Sequence, residues 1–171
     1  MELRDAETAT EQLLTSGIVS ENENVIHYYG GSLSLGAGWS GGYAFITEKR
    51  LIFGRQAQGW SSRGIDLIFE CELGDILSVS TNGWFDKRAN FAVKQNGQIV
   101  QCTLSSPYNI AFAQSLIESK RSYKEKRTVV ANTIIIEEAK KEKEKASEIL
   151  QKRLARGEIS LEEFHQKIQR T

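Results

Sequence analysis

The sequence predicts an α+β chain: an antiparallel β-sandwich or barrel capped by a C-terminal helix, then a helical connector and a small helical hairpin. Three observations predict it. Between Asn24 and Leu104, aromatic and β-branched residues come in short runs separated by Gly, Asn and charged residues, the pattern of strands joined by tight turns. After Ser106-Pro107 the apolar period becomes helical. Beyond Lys120 charge dominates until two short apolar stripes appear on either side of Gly157.

At 171 residues the chain has room for one ordinary domain and a satellite, and 40% hydrophobic with 26% charged residues suits a globular protein. Twenty-two basic residues balance twenty-two acidic ones. No global field therefore draws the chain to nucleic acid, which is not expected as a partner. Met1-Glu2-Leu3-Arg4-Asp5 lacks the apolar core of a signal peptide, and no later apolar run approaches the roughly 20 residues of a membrane span. The expected compartment is the cytoplasm, free or peripheral to a membrane.

Four regions separate by pattern. Residues 1–20 hold a short helix, Asp5 to Ser16, with Leu13 and Leu14 as its apolar contribution and Gly17 as its stop. Residues 21–122 form the β-domain. Within it, Gly41-Gly42-Tyr43-Ala44-Phe45-Ile46-Thr47 and Arg50-Leu51-Ile52-Phe53 flank Glu48-Lys49 as a hairpin. Ile65, Leu67, Phe69, Cys71 and Leu73 alternate with Asp66, Ile68, Glu70 and Glu72, which predicts one apolar strand face throughout. Asn96-Gly97 favours the φ > 0 pair of a two-residue turn, so Phe91 and Val93 should face the same way as Val100, Cys102 and Leu104. Ser106 is placed to cap a helix and Pro107 to open it, with Phe112, Ala113, Leu116 and Ile117 as the apolar stripe.

Residues 123–145 are the charged connector, where Glu137 and Glu138 stand within helical reach of Lys141. A solvated spacer would not carry Val129, Val130, Ile134, Ile135 and Ile136, so this patch calls for a partner surface in cis or in trans. Residues 146–171 are the hairpin. Ile149, Leu150 and Leu154 lead to Gly157, Ser160-Leu161-Glu162-Glu163 reads as a capping box, and Leu161, Phe164 and Ile168 supply the second stripe. So few apolar side chains do not hold two short helices alone, because units under about 40 residues need a staple or a partner.

Two resemblances cover most of the chain. Gly42-Tyr43-Ala44-Phe45-Ile46-Thr47-Glu48-Lys49-Arg50-Leu51-Ile52-Phe53 resembles the apolar-strand, Thr-x-x-Arg-Leu-Ile-Phe hairpin of PH-like domains of the GRAM and bacterial PH type, and Leu73-Gly74-Asp75-Ile76 resembles the turn after that family's acidic strand. Leu150, Leu154, Gly157, Ile159, Ser160, Glu162, Glu163 and Phe164 are similar to the pattern of SHOCT, a short C-terminal domain. The resemblances imply a PH-like fold and a docking or oligomerising tail, and neither implies an enzyme or a cofactor.

The stretch Gly30 to Gly42, which corresponds to the first inter-strand loop of phosphoinositide-binding PH domains, contains no basic residue and no phosphate-cradling motif. Trp39, Trp60 and Trp84 stand beside glycines in loop-like places, with Phe85, Arg63, Lys87 and Arg88 near them, and Arg55 further along. Indoles in such places either plug the ends of a barrel or form an interaction rim. His27 and His165 are isolated, and Cys71 and Cys102 lie in strand-like segments without metal-ligand spacing, so no metal and no catalytic residue is expected. The function expected is a non-enzymatic interaction or scaffold module, a homo-oligomer or partner-docking protein through its C-terminal helices. The second reading is a peripheral membrane protein that binds lipid through its loop tryptophans.

Overall fold

A computed structural model describes residues 6–36, 38–57, 64–81 and 87–170. In chain order the elements are α1 (Ala6–Thr15), β1 (Val25–Ser34), β2 (Trp39–Thr47), β3 (Arg50–Gln56), β4 (Ile65–Glu72), a 3-10 turn (Leu73–Asp75), β5 (Ile76–Thr81), β6 (Arg88–Gln95), β7 (Gln98–Ser105), α2 (Asn109–Ala155) and α3 (Leu161–Arg170). The chain divides into two compact units, 1–124 and 125–171.

In the first unit seven antiparallel strands form one sheet in the order β4-β3-β2-β1-β7-β6-β5. Strand β1 joins its two halves: it pairs with β2 along most of its length and with β7 only from Ser32 to Ser34. A Cβ on Gly31 would come within 2.6 Å of the Ser105 carbonyl, and one on Gly42 would press on the Gly54 carbonyl, so both positions require glycine. This corrects the reading of Gly30 to Gly42 as a loop: residues 30–34 and 39–42 are strand, and Gly31 and Gly42 serve the close approach of neighbouring strands.

The main core lies between the two halves of the sheet and contains Leu33, Ala44, Ile46, Leu51, Phe53, Phe69, Leu73, Phe91, Val93, Cys102 and Leu104. The first turns of α2 close it. Phe112 is fully buried, with its ring 5.9 Å from Phe91 and edge-on to Tyr29 at 5.7 Å, and the Tyr29 hydroxyl meets Ser115 Oγ at 2.7 Å. The Asn96-Gly97 turn takes φ of 50° and 79°, and the register Phe91↔Cys102, Val93↔Val100 follows from it as expected.

A second apolar cluster explains why β2 and β3 read as continuous apolar runs rather than alternating ones. Phe45 and Ile52 point to the opposite face from Ala44, Ile46, Leu51 and Phe53, where α1 covers them with Ala9 and Leu13, joined by Val19, Val25 and Ile65. A sheet covered on both faces loses its polar alternation. Full burial of Leu13 contributes roughly 1.5–3 kcal/mol, while Leu14 points outward. Thr10 Oγ1 accepts from Val25 N–H at 3.0 Å and Ser16 Oγ from Ile65 N–H at 2.7 Å, which tie the helix to both ends of this face.

Three local expectations are corrected. Strand β4 does not keep one apolar face: its pairing skips Ile68, between Phe53↔Phe69 and Gly54↔Leu67. The bulge carries Ile65 to the α1 cluster and leaves Leu67 exposed. Ile117 is exposed, and the buried face of α2 is Asn109, Phe112, Ala113, Ser115, Leu116 and Ser119. Pro107 does not open α2. Ser106 Oγ accepts from Tyr108 N–H at 3.2 Å and donates to the Gly30 carbonyl at 2.7 Å, and the first α-type bond runs from Phe112 N–H to the Tyr108 carbonyl.

In the second unit, α2 continues without interruption to Ala155. Gly157 then takes φ of +70°, and α3 follows after Ser160. Ile159 is buried and Leu150, Leu154 and Phe164 are half-buried, so these form the hairpin's small interior. Among the described residues no helix is long and apolar enough to cross a membrane.

Candidate interaction surfaces

The densest polar constellation sits behind the β2–β3 turn. Thr47 Oγ1 accepts the N–H groups of Lys49 and Arg50 at 3.1 and 3.0 Å, which fixes the turn, and donates to Glu23 Oε1 at 2.8 Å. Arg50 holds the same carboxylate from two nitrogens, both at 2.9 Å, while its guanidinium also donates to the Ile18 carbonyl and to Glu70 Oε2, each at 2.6 Å. Burial alone would push the Glu23 carboxyl up, but its hydrogen bonds to Arg50 and Thr47 outweigh that and hold it below the ordinary carboxylate range. The same bonds raise Arg50. Every arm of this cluster is occupied within the chain, so it clamps the segment between α1 and β1 to the sheet rather than offering a ligand site. Sequence reasoning singled out Thr47 and Arg50 but missed Glu23, 27 residues away.

A second surface lies at the β1–β2 turn. Trp39 and Leu35 are exposed, the Arg88 guanidinium sits 6.0 Å from the centre of the Trp39 ring, and a groove of about 260 Å³ runs between Leu33, Leu35, Trp39, Ser40 and Ile68. Trp39 thus faces solvent rather than closing over the core. Lys87, next to Arg88, is exposed. Trp60, Arg63, Trp84 and Phe85 lie outside the described residues, as does the side chain of Ile168. Arg55 pairs loosely with Asp66 at 3.6 Å.

The third surface belongs to the helical unit. Val129, Val130, Ile134, Ile135 and Ile136 are each at least half exposed, and every residue from Lys124 to Glu138 is exposed. At 100° per residue, Val129 and Ile136 share one side of the helix, Val130 and Ile134 a second, and Ile135 a third. In the hairpin, Ile149 and Leu161 also point to solvent, whereas Leu150, Leu154 and Phe164 turn inward.

Among the described residues, nothing in these surfaces assembles reactive groups. His27 stacks on Tyr29 and His165 meets Phe164 edge-on. Cys71 and Cys102 are free, buried thiols, pushed by burial up to about 12 and about 11 respectively. Among the described residues no group of His, Cys, Asp and Glu could hold a metal ion.

No family model and no curated protein matches the chain. Solved structures do. The DH/PH domains of p115-RhoGEF, in a mutant form, superpose over 70% of this chain and 36% of that one, at 7% identity and a TM-score of 0.51. PDZ-RhoGEF DH/PH domains in complex with activated RhoA match over 58% of this chain and 30% of that one (12% identity, TM-score 0.49). The Vps36 N-terminal PH domain matches over 64% and 86% (20% identity, TM-score 0.43). The chain thus spans about a third of the length of the DH/PH structures, and at these identities the likeness concerns fold alone. Seven antiparallel strands in an open sheet, followed by a long and then a short helix, make this an α+β protein of PH-like fold.

Proposed function

We propose that the chain is a non-enzymatic interaction module, in which the PH-like unit offers a binding surface and the helical unit brings copies of the chain together. The observation that supports this is the exposed aliphatic segment from Val129 to Ile136, flanked on both sides by charge. A helix apolar on several sides is stable in water only when other helices surround it. Burying one of these side chains from its exposed state would contribute on the order of 1 kcal/mol. The PH-like and SHOCT-like resemblances of the sequence agree with such a division of labour.

Light scattering on a sizing column tests the reading with the full chain. A defined oligomer is expected, and Ile134→Glu combined with Ile135→Glu should shift it to a monomer without loss of far-ultraviolet helicity. A wild-type chain that stays monomeric at tens of micromolar overturns the reading.

Trp39 supports a second reading, binding to a membrane surface. An exposed indole beside Leu35, with Arg88 against its ring and Lys87 adjacent, combines apolar and cationic groups suited to an anionic lipid interface. Co-sedimentation with vesicles containing phosphatidylserine should fall at least about threefold in Trp39→Ala, in proportion to the apolar area removed. Equal sedimentation of variant and wild type, or none by either, excludes it.

A further inference from the structure

The residues that bracket the aliphatic segment say how two copies would meet. Lys126-Arg127 precede Thr128 and Val129, Glu137-Glu138 follow Ile136, and no charged residue stands between them. All four charged side chains are exposed. The segment therefore has a basic end, an uncharged middle and an acidic end, and its midpoint is Asn132.

Resting on the self-association reading above, we propose that the occupant of this surface is a second copy of the same chain running antiparallel, with the twofold axis level with Asn132 on the side of Val130 and Ile134. In that arrangement Lys126 and Arg127 of each copy lie opposite Glu137 and Glu138 of the other, at both ends of the contact. Val130 then faces Ile134 on the side of the helix that these four charged residues share, so aliphatic meets aliphatic in the middle. A parallel pair would set Lys126-Arg127 against itself and Glu137-Glu138 against itself. One exposed ion pair contributes little, about 0.2–1 kcal/mol. The choice between orientations is a difference, however: it counts attraction in one and repulsion in the other at both ends.

Because the aliphatic residues occupy three sides of the helix, antiparallel pairs can also pack on one another. Alternating directions keep opposite charges matched in such a bundle.

Charge exchange in the full chain tests the orientation. Lys126→Glu with Arg127→Glu should weaken self-association by about tenfold or more at low salt, and Glu137→Lys with Glu138→Lys should do the same. All four substitutions together should restore the wild-type mass profile. A parallel assembly keeps like against like in every one of these variants, so it predicts no loss followed by rescue. A spin label at Glu142→Cys gives an independent reading. Antiparallel copies place the two labels 20 residues apart along the helix direction, about 30 Å at 1.5 Å per residue, whereas parallel copies place them side by side at about 10–15 Å. The buried native thiols of Cys71 and Cys102 stay unlabelled under native conditions. Failure of the fourfold variant to recover, or labels at the short distance, overturns the antiparallel pairing and leaves self-association standing. A monomeric wild-type chain overturns both.

Discussion

The reversal after α1 and the reversal after α2 are written in nearly the same residues. Gly17-Ile18-Val19-Ser20-Glu21-Asn22-Glu23 and Gly157-Glu158-Ile159-Ser160-Leu161-Glu162-Glu163 share Gly, an aliphatic residue, Ser and Glu at the same spacing. They begin alike. Gly17 and Gly157 take φ of +68° and +70°, and the next residue, Ile18 or Glu158, donates its N–H across the helix end to Leu13 or Arg153, both at 2.9 Å. Val19 and Ile159 are both buried. They part at the final Glu. Glu163 accepts from Ser160 N–H at 3.3 Å and donates its own N–H to Ser160 Oγ at 3.2 Å, which closes a capping box and starts α3. Glu23 is instead held by Arg50 and Thr47, so Ser20 to Glu23 makes a single turn and the chain enters β1. Local sequence writes the stop of the helix, and the partner of one carboxylate decides whether a helix or a strand comes next.

The largest expected break in this comparison is Arg50→Met. It leaves Glu23, only 4% exposed, without its guanidinium and frees the Ile18 carbonyl. Loss of one partner from a buried pair costs several kcal/mol, and with Arg50 itself a quarter exposed we expect about 2–4 kcal/mol by urea unfolding at pH 7. The pH dependence has a definite sign. With Arg50 present, the Glu23 carboxyl titrates lower folded than unfolded, so it contributes stability above the ordinary value of 4.5, and this is lost as pH falls through the folded value. In Arg50→Met burial is opposed only by the Thr47 hydrogen bond and the Lys49 charge, so the carboxyl titrates higher than in the wild type. The gap between variant and wild type should therefore be widest near neutrality and narrow below pH 4.5. A gap independent of pH would mean that Arg50 acts through packing. The corresponding loss in the second reversal, Glu163→Ala, should cost no more than about 1 kcal/mol and only in the hairpin.

Sequence neighbours decided the features that were legible before the structure. Asn96-Gly97 fixed its hairpin and register, Gly17 and Gly157 marked their helix ends, and Ser160 with Glu163 marked a helix start. Less legible was whatever depends on a distant element. The continuous run Ala44-Phe45-Ile46 reflects the cover that α1 lays over the second face of the sheet, and a single run does not say what covers it. The bulge at Ile68 comes from the pairing of β4 with β3, and it defeats an alternation that looks regular from Ile65 to Leu73. Ser106 is drawn to the Gly30 carbonyl, which delays α2 past Pro107. Of the surfaces, the Val129 to Ile136 segment could be read directly, because aliphatics inside a charged run stand out. The groove beside Trp39 could not, since Ile68 reaches it from β4.

The finest test of the comparison replaces the residue that the two reversals truly share. At both Gly17 and Gly157 an added Cβ meets nothing within 4 Å, so alanine there is opposed only by its left-handed φ. Each substitution should cost about 1 kcal/mol, the usual penalty for a non-glycine residue in that region. The readouts should differ. Gly17→Ala acts on a helix whose Leu13 belongs to a buried cluster, and it should lower the urea midpoint followed by near-ultraviolet circular dichroism. Gly157→Ala should leave that midpoint in place and accelerate amide exchange of Phe164 and its neighbours about fivefold, the kinetic equivalent of 1 kcal/mol in local opening. Equal shifts of the global midpoint by both variants would show that the hairpin and the PH-like unit unfold together, since only a shared transition lets a strained turn at residue 157 register in the aromatic signal of the β-domain.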